Sequence, residues 1–355
     1  MSYYKDLHSY LYTKKESFEE YYNSLQSEEE KINFIKKLYK MNYRGSDNDD
    51  GQELAYLYSE RYIQEFYFLR YMYAYAYEYR EMFTRLLTEQ NLHGFIEILS
   101  VGCGNGIDYW AIREAEQSII DNDTGADRHT IQYTGLDEID WYDQWGGKNY
   151  KMVPKKGMVT YKQIDAAEYF ENAQRLPYNV IIFPKSISEF SDGEFTRICN
   201  ALGRKEFKFE YEGRMRDRNE VHFLISLRKV DGISQVDRER IRLLKEAMEA
   251  NEVNGFKLSN PATVPVQEEE FYTEDGSGIT AYDQSFRYPG PILNFLQDSM
   301  YRTVLNFIQG QPENTFEFTQ GKSNGAIEED VKRMFTPMLK TQYICNTIMT
   351  FRRCQ

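Results

Sequence analysis

The apolar positions of this chain change their period along its length. Serine and glutamate three apart in Ser27-Glu28-Glu29-Glu30 form a capping-box pattern, and Ile32, Ile35, Leu38 and Tyr39 follow at helical spacing, which predicts a helix beginning near Ser27. GSDNDDG, 45–51, has the composition of a loop. Residues 52–90 contain no proline or glycine and are crowded with aromatics. Within them Tyr71, Tyr73, Tyr75, Tyr77 and Tyr79 alternate with other residues, and that period of two taken alone predicts a strand. The intervening Ala, Met, Glu and Arg favour helix, and the uninterrupted run far exceeds an ordinary strand, so a helix is expected. Tyrosine on all its sides implies burial on several sides, either as packing or as the cover of a ligand pocket.

Beyond residue 90 short apolar runs alternate with helical segments. FIEILS is the first strand. IREAEQSII continues a helix, the polar NDTGADRH at 122–129 makes a loop, and IQYTGLDEIDWY supplies a second strand ending at Asp137. GMVTYKQIDAAEYF predicts a third strand ending near Asp165, YNVIIFPKSISEF a fourth ending near Phe183, and VHFLISLRKV a fifth. A charged helix over 234–250, a short sixth strand in GFKLSN and a final strand over 342–351 complete the series. The alternation implies an α/β domain built on a parallel sheet with helices on both faces. The expected organisation is a helical, tyrosine-rich region over 1–90 and an α/β domain over 91–355. Within the latter, 260–341 is an insertion that begins turn-rich and acidic, becomes helical after Pro291, and is placed to serve as a substrate cap or a partner scaffold.

Chemistry concentrates where the first strand ends. In FIEILSVGCGNGIDYW, Gly102, Gly104 and Gly106 alternate with Cys103 and Asn105 before the next helix. Glycine suits a chain reversal that needs unusual backbone angles, and its bare surface lets a ligand lie against the backbone. A purely structural turn uses the same residues. The spacing G-x-G-x-G differs from the dinucleotide fingerprint G-x-G-x-x-G, and no lysine follows to bind phosphate. An acid at the tip of the second strand can accept both hydroxyls of a ribose, and Asp137, followed by Glu138, sits there; a helix cap is the other reading of Asp137.

The glycine turn resembles the first motif of the class I S-adenosylmethionine-dependent methyltransferases. That resemblance implies a Rossmann-like, mostly parallel seven-stranded sheet whose sixth and seventh strands form an antiparallel end, with S-adenosyl-L-methionine as cofactor. It implies cofactor contacts from Gly102, Cys103, Gly104, Asn105, Gly106, Asp108, Asp137, Glu138, Ile164, Asp165 and Phe183. Ile164-Asp165 would meet the adenine, although Asp165 equally fits a helix cap. The family's acidic residue two positions before the first glycine is replaced by Ser100, with Asp108 or Glu97 as substitutes. The loop after the fourth strand faces the transferred methyl group in that family; here it offers Lys185, Ser186 and Glu189 as catalytic candidates, or simply the start of a helix. Phe183-Pro184-Lys185-Ser186 lacks the acceptor of the adenine-amine methylating motif, which argues against a DNA adenine methyltransferase.

Composition narrows the partners. A net charge of −13 and a pI near 5.0 oppose loose attraction to a nucleic-acid backbone. A small molecule or a protein side chain is therefore the favoured methyl acceptor. An RNA methyltransferase remains the alternative, using GRKEFKFEYEGRMRDR at 203–218 as a basic groove, although acidic residues interrupt that segment and a solvated loop fits it as well. A sensor that binds S-adenosylmethionine without transferring a methyl group is the third reading. The four cysteines form no C-x-x-C pair, so neither a metal site nor a redox role is expected. No stretch approaches the roughly 20 apolar residues of a membrane span and the first residues lack a secretion signal, so a cytoplasmic protein is expected.

Overall fold

The computed structural model describes residues 4–42, 57–89, 92, 94–122, 129–145, 158–227, 234–259, 280–285, 288–338 and 340–354. The predicted loop at 45–51 and the acidic stretch over 260–279 lie outside them. The chain divides into two compact units, one of residues Met1–Tyr75 with Ser285–Thr341, the other of Ala76–Gln284 with Gln342–Gln355. The division falls inside a helix rather than near residue 90, and the helical insertion shares a unit with the N-terminal helices.

In the first unit, helices α1 (Tyr4–Ser24), α2 (Glu28–Asn42) and α3 (Arg61–Tyr67) meet around aromatic rings. Phe18 stacks on Phe66 with centroids 5.2 Å apart, and Phe34 packs against Phe18 and Tyr62. The Ser27 capping box is present: the Ser27 N–H donates to the Glu30 carboxylate at 2.9 Å, and the Glu30 N–H to Ser27 Oγ at 3.2 Å. The tyrosine-rich stretch is helical, as its composition requires. It runs from α3 through a π-helical turn, Phe68–Met72, into α4 (Tyr73–Glu89). Arg70, in that turn, donates to the carbonyls of Thr336 and Arg333, both at 2.9 Å.

The second unit is a sheet in the order β10–β11–β8–β5–β1–β2–β3, with β9 paired to β11. Its strands are β1 (Phe95–Val101), β2 (Thr130–Asp137), β3 (Val159–Gln163), β5 (Val180–Pro184), β8 (Glu220–Leu227), β9 (Phe256–Leu258), β10 (Thr280–Ser285) and β11 (Lys340–Arg353). β3, β2, β1, β5 and β8 are parallel, whereas β11 runs antiparallel to β8. The expected seven strands are all present and β10 adds an eighth. Chain order reverses direction across the sheet between β1 and β5, so the crevice outside their carboxyl ends is the topological switch point.

Alternation along the strands sorts side chains to two faces. Leu99, Val101, Ile181, Phe183, Phe223, Ile225 and Met349 cluster with Ala167 and Phe170 of α6 (Ala166–Asn172), Phe195 and Ile198 of α7 (Asp192–Leu202), and Ile241 and Leu244 of α8 (Gln235–Glu249). The other face meets α5 (Ile107–Asn122), where Tyr109 packs on Tyr133 at 5.1 Å, and the C-terminal part of α4, where Arg85 donates to Asn346 Oδ1 at 3.2 Å.

Residues 203–218 are not a solvated loop. They form a hairpin of β6 (Glu206–Tyr211) and β7 (Arg214–Asp217), and β6 is extended by β4 (Arg175–Leu176) into a small second sheet. Arg218 anchors the hairpin, donating to the Pro177 carbonyl at 2.7 Å and pairing with Glu97 near the start of β1. The hairpin therefore sits at the amino ends of the strands, away from the glycine turn.

Candidate functional site

Three chain segments converge at the carboxyl ends of β1, β2 and β5. The glycine turn after β1 needs left-handed backbone at each glycine, with φ of +73° at Gly102, +55° at Gly104 and +76° at Gly106. These are angles that residues with a Cβ adopt only at a cost, which explains the residue type at all three positions. The N–H groups of Gly102 and Cys103 both donate to the Leu136 carbonyl at 2.9 Å, tying the turn to β2.

Asp137 completes that tie. Its Oδ2 accepts from the Gly104 N–H at 2.7 Å and its Oδ1 from the Ile139 N–H at 2.9 Å, while the Trp141 indole also lies at the carboxylate. Desolvation lifts its pKa to about 6 in spite of these donors. Glu138 is exposed beside it, and Glu189 is exposed and near enough to oppose the ionisation of Asp137.

The turn does not present an open floor. A Cβ placed on Gly102 would stand 2.6 Å from Ser186 Cβ, and one on Gly106 would stand 1.9 Å from Tyr161 Oη. Internal packing thus demands those two glycines. Gly104 faces the ring of Trp141 at 3.5 Å from its own absent Cβ, an ordinary contact distance. Trp141 belongs to a strap formed by the chain after β2. In it the Trp145 N–H donates to the Asn105 carbonyl at 2.7 Å, Gln144 to the Gly104 carbonyl at 3.3 Å, and Tyr161 Oη to the Trp145 carbonyl at 2.6 Å. The expectation of bare peptide across all three glycines is corrected accordingly. Sequence reasoning missed this strap, although Trp141 and Trp145 in DWYDQW are the signal that could have found it.

The remaining predicted residues divide by their surroundings. Asn105 is buried, and among the described residues its Oδ1 has no hydrogen-bond partner. Cys103 is buried, and desolvation pushes its thiol pKa up, which disfavours the thiolate. Asp108 is fully buried on α5 and Tyr133 Oη donates to both of its oxygens at 2.9 Å, with Ser100 beside it. The acid missing from position 100 is thus supplied to the same spot from the helix, where it is buried inside the protein. Asp165 is the N-cap of α6, accepting from the Glu168 N–H at 2.7 Å, and Ile164 packs against the core. Phe183 is also internal: its ring is fully buried against Phe190 and Phe195, because odd-numbered positions of β5 face α6–α8. Lys185 and Ser186 are buried and engaged within the protein, and only Glu189 of the three catalytic candidates faces solvent.

Asp108 makes a pH prediction. Burial raises its pKa to about 6, well above an unfolded aspartate, so folding favours the protonated form. The associated stability is full below the unfolded pKa of about 4 and is lost as pH rises through about 6. Asp137 contributes with the same sign. Asp108→Asn should therefore flatten, without abolishing, the fall in urea midpoint between pH 4 and pH 7. A midpoint curve parallel to that of the wild type would show that Asp108 does not titrate in this way.

Five parallel strands ordered about β1, a glycine turn and a β2-tip acid at the switch point, and an antiparallel last strand beside β8 together decide the architecture. This is a Rossmann-like fold with an antiparallel end. Similar solved structures include an S-adenosylmethionine-dependent methyltransferase from Archaeoglobus fulgidus, 11% identical, covering 76% of this chain and 94% of that one with a TM-score of 0.28. The plantazolicin methyltransferase BpumL is 13% identical over 92% of this chain and 99% of its own, with a TM-score of 0.30. A methyltransferase from Geobacter sulfurreducens, in complex with S-adenosyl-L-homocysteine, is 15% identical over 77% and 91%, with a TM-score of 0.29. No protein-family model matches the chain, and no curated protein sequence does. Among the described residues no helix is long and apolar enough to cross a membrane, and no cluster of three metal-ligating side chains occurs.

Proposed function

We propose that this chain is an S-adenosylmethionine-dependent methyltransferase whose acceptor is a small molecule or a protein side chain. The observation that carries the reading is the carboxylate of Asp137 clasping the Gly104 N–H at the switch point of the sheet. That carboxylate can accept from the hydroxyls of a vicinal diol, and Asn105 Oδ1, buried with no partner among the described residues, can accept from an ammonium. When bound, the cofactor supplies a methyl carbon already activated by the sulfonium, so the residues around it chiefly align the acceptor and exclude water. Glu189, exposed at the same edge, is the side chain placed to meet an acceptor's proton.

Two features support an acceptor other than RNA. The net charge is −13, and the Arg-containing hairpin lies at the opposite end of the strands from the glycine turn. A non-catalytic sensor is the second reading, favoured by the internal engagement of Lys185 and Ser186.

The strap must yield for a ligand to reach Gly104. All three tryptophans of the chain lie at this turn: Trp141 over Gly104, Trp145 bound to Asn105, and Trp110 edge-on to Trp145 at 6.4 Å. Titration with S-adenosylhomocysteine is expected to shift tryptophan emission to the red, and Trp141→Phe to remove most of that shift. Calorimetry with S-adenosylmethionine and its demethylated product, followed by labelled-methyl transfer into fractionated extract, tests the activity. Folded protein that binds neither compound ends the cofactor reading; binding without a labelled acceptor in any fraction selects the sensor.

A further inference from the structure

The backbone of Lys185 is left-handed, with φ of +58°, one of two non-glycine residues among those described with a positive φ. The other, Glu212, precedes Gly213 in the tight turn of the β6–β7 hairpin, where such angles are ordinary. Lys185 has no such excuse: it follows Pro184 at the end of a central parallel strand, and a strained residue persists only where its surroundings over-determine it.

Those surroundings are unusual. The Lys185 ammonium is buried and sits 2.8 Å from Glu78 Oε2 while donating to the Leu227 carbonyl at 2.8 Å. Glu78, fully buried on α4, accepts from Ser226 Oγ at 2.5 Å. Ser226 lies opposite Pro184 in the β5–β8 register and opposite Asn346 in the β8–β11 register. One ion pair therefore ties α4, β5 and β8 together beneath the loop that starts at Lys185. The next residue carries the consequence: Ser186 Oγ donates to the Val101 carbonyl at 2.5 Å, and Ser186 Cβ fills the space on which Gly102 has no side chain.

We infer that the buried Glu78–Lys185 pair is a positioning element that holds the loop after β5 in its left-handed turn, so that Ser186 walls the first glycine of the cofactor crevice. Neither residue touches the ligand; both act through Ser186. A buried ion pair is a poor source of net stability, since apolar replacements often match it, but it fixes one geometry well. The strained φ and the contact with Gly102 show what that geometry is for. The cofactor part of this inference rests on the proposed function; the hold on the loop does not.

The test uses the double variant Glu78→Gln/Lys185→Met in the full chain. Removing both charges leaves no unpaired ion in the interior, and glutamine still accepts from Ser226, so the protein is expected to melt close to the wild type. Amide hydrogen exchange without ligand should rise at 185–189 while the core strands stay protected. Calorimetry should show affinity for S-adenosylhomocysteine weakened by at least about fivefold, because a crevice wall that is no longer fixed must be ordered on binding. Unchanged exchange at 185–189 overturns the inference whether or not the ligand binds. Raised exchange with wild-type affinity overturns its cofactor part. Raised exchange in a protein whose wild type ignores S-adenosylhomocysteine supports the hold on the loop and removes the methyltransferase reading instead.

Discussion

Gly106→Ala is expected to destabilise the fold by about 3 kcal/mol, combining left-handed backbone strain with an overpacking clash. The added methyl must share its position with Tyr161 Oη, 1.9 Å away, and two ring carbons of Tyr161 follow at 2.7 and 2.9 Å. Tyr161 cannot simply rotate away, because its hydroxyl donates to the Trp145 carbonyl and its ring packs on Tyr133 at 5.7 Å. A double-mutant cycle separates the two causes. In a Tyr161→Ala background the clash is absent, so Gly106→Ala should cost only the backbone strain, about 1 to 2 kcal/mol. Urea denaturation of the four proteins measures both. Equal costs in the two backgrounds would show that Tyr161 does not confine this turn.

The contrast with Gly104 is informative. Its absent Cβ meets only the flat edge of Trp141 at ordinary contact distance, so strain rather than collision limits substitution there. Gly104 is the glycine of the three whose outer surface a small movement of one side chain would bare.

How far the sequence foretold this arrangement depends on the range over which each feature is determined. The strand before Gly102, the strand ending at Asp137 and the Ser27 cap are local patterns, and they fold as their periodicity and capping chemistry dictate. The two roles open to Asp165 also differ locally, and the structure gives it the cap. The Phe183 ring packs toward the helices, a direction the sequence cannot announce, because a strand buried on both faces shows no alternation in VIIF. The Glu78–Lys185 pair was invisible for a different reason: Glu78 sits among tyrosines on a helix far away in the chain, and only the tertiary fold brings it under β5. The π turn at Phe68–Met72 is likewise a response to packing, with no glycine or proline to announce it.

Asp137→Ala should weaken S-adenosylmethionine binding by at least about tenfold, the loss expected when a buried diol is deprived of its charged acceptor. Two effects of the substitution act together. The ligand loses a carboxylate, and the N–H groups of Gly104 and Ile139 lose the acceptor that now holds the turn against the β2 tip. The pH dependence distinguishes the carboxylate's direct role from the structural one. With a pKa raised to about 6, Asp137 is mostly ionised at pH 7.5 and mostly protonated at pH 5, so wild-type affinity should fall as pH drops through that range. The alanine variant has nothing to titrate there and should bind weakly at both pH values, with little slope between them. If affinity in the wild type is flat from pH 7.5 to pH 5, or the folded variant binds as well as the wild type, the diol is held by another group, and the exposed Glu138 beside it becomes the next residue to replace.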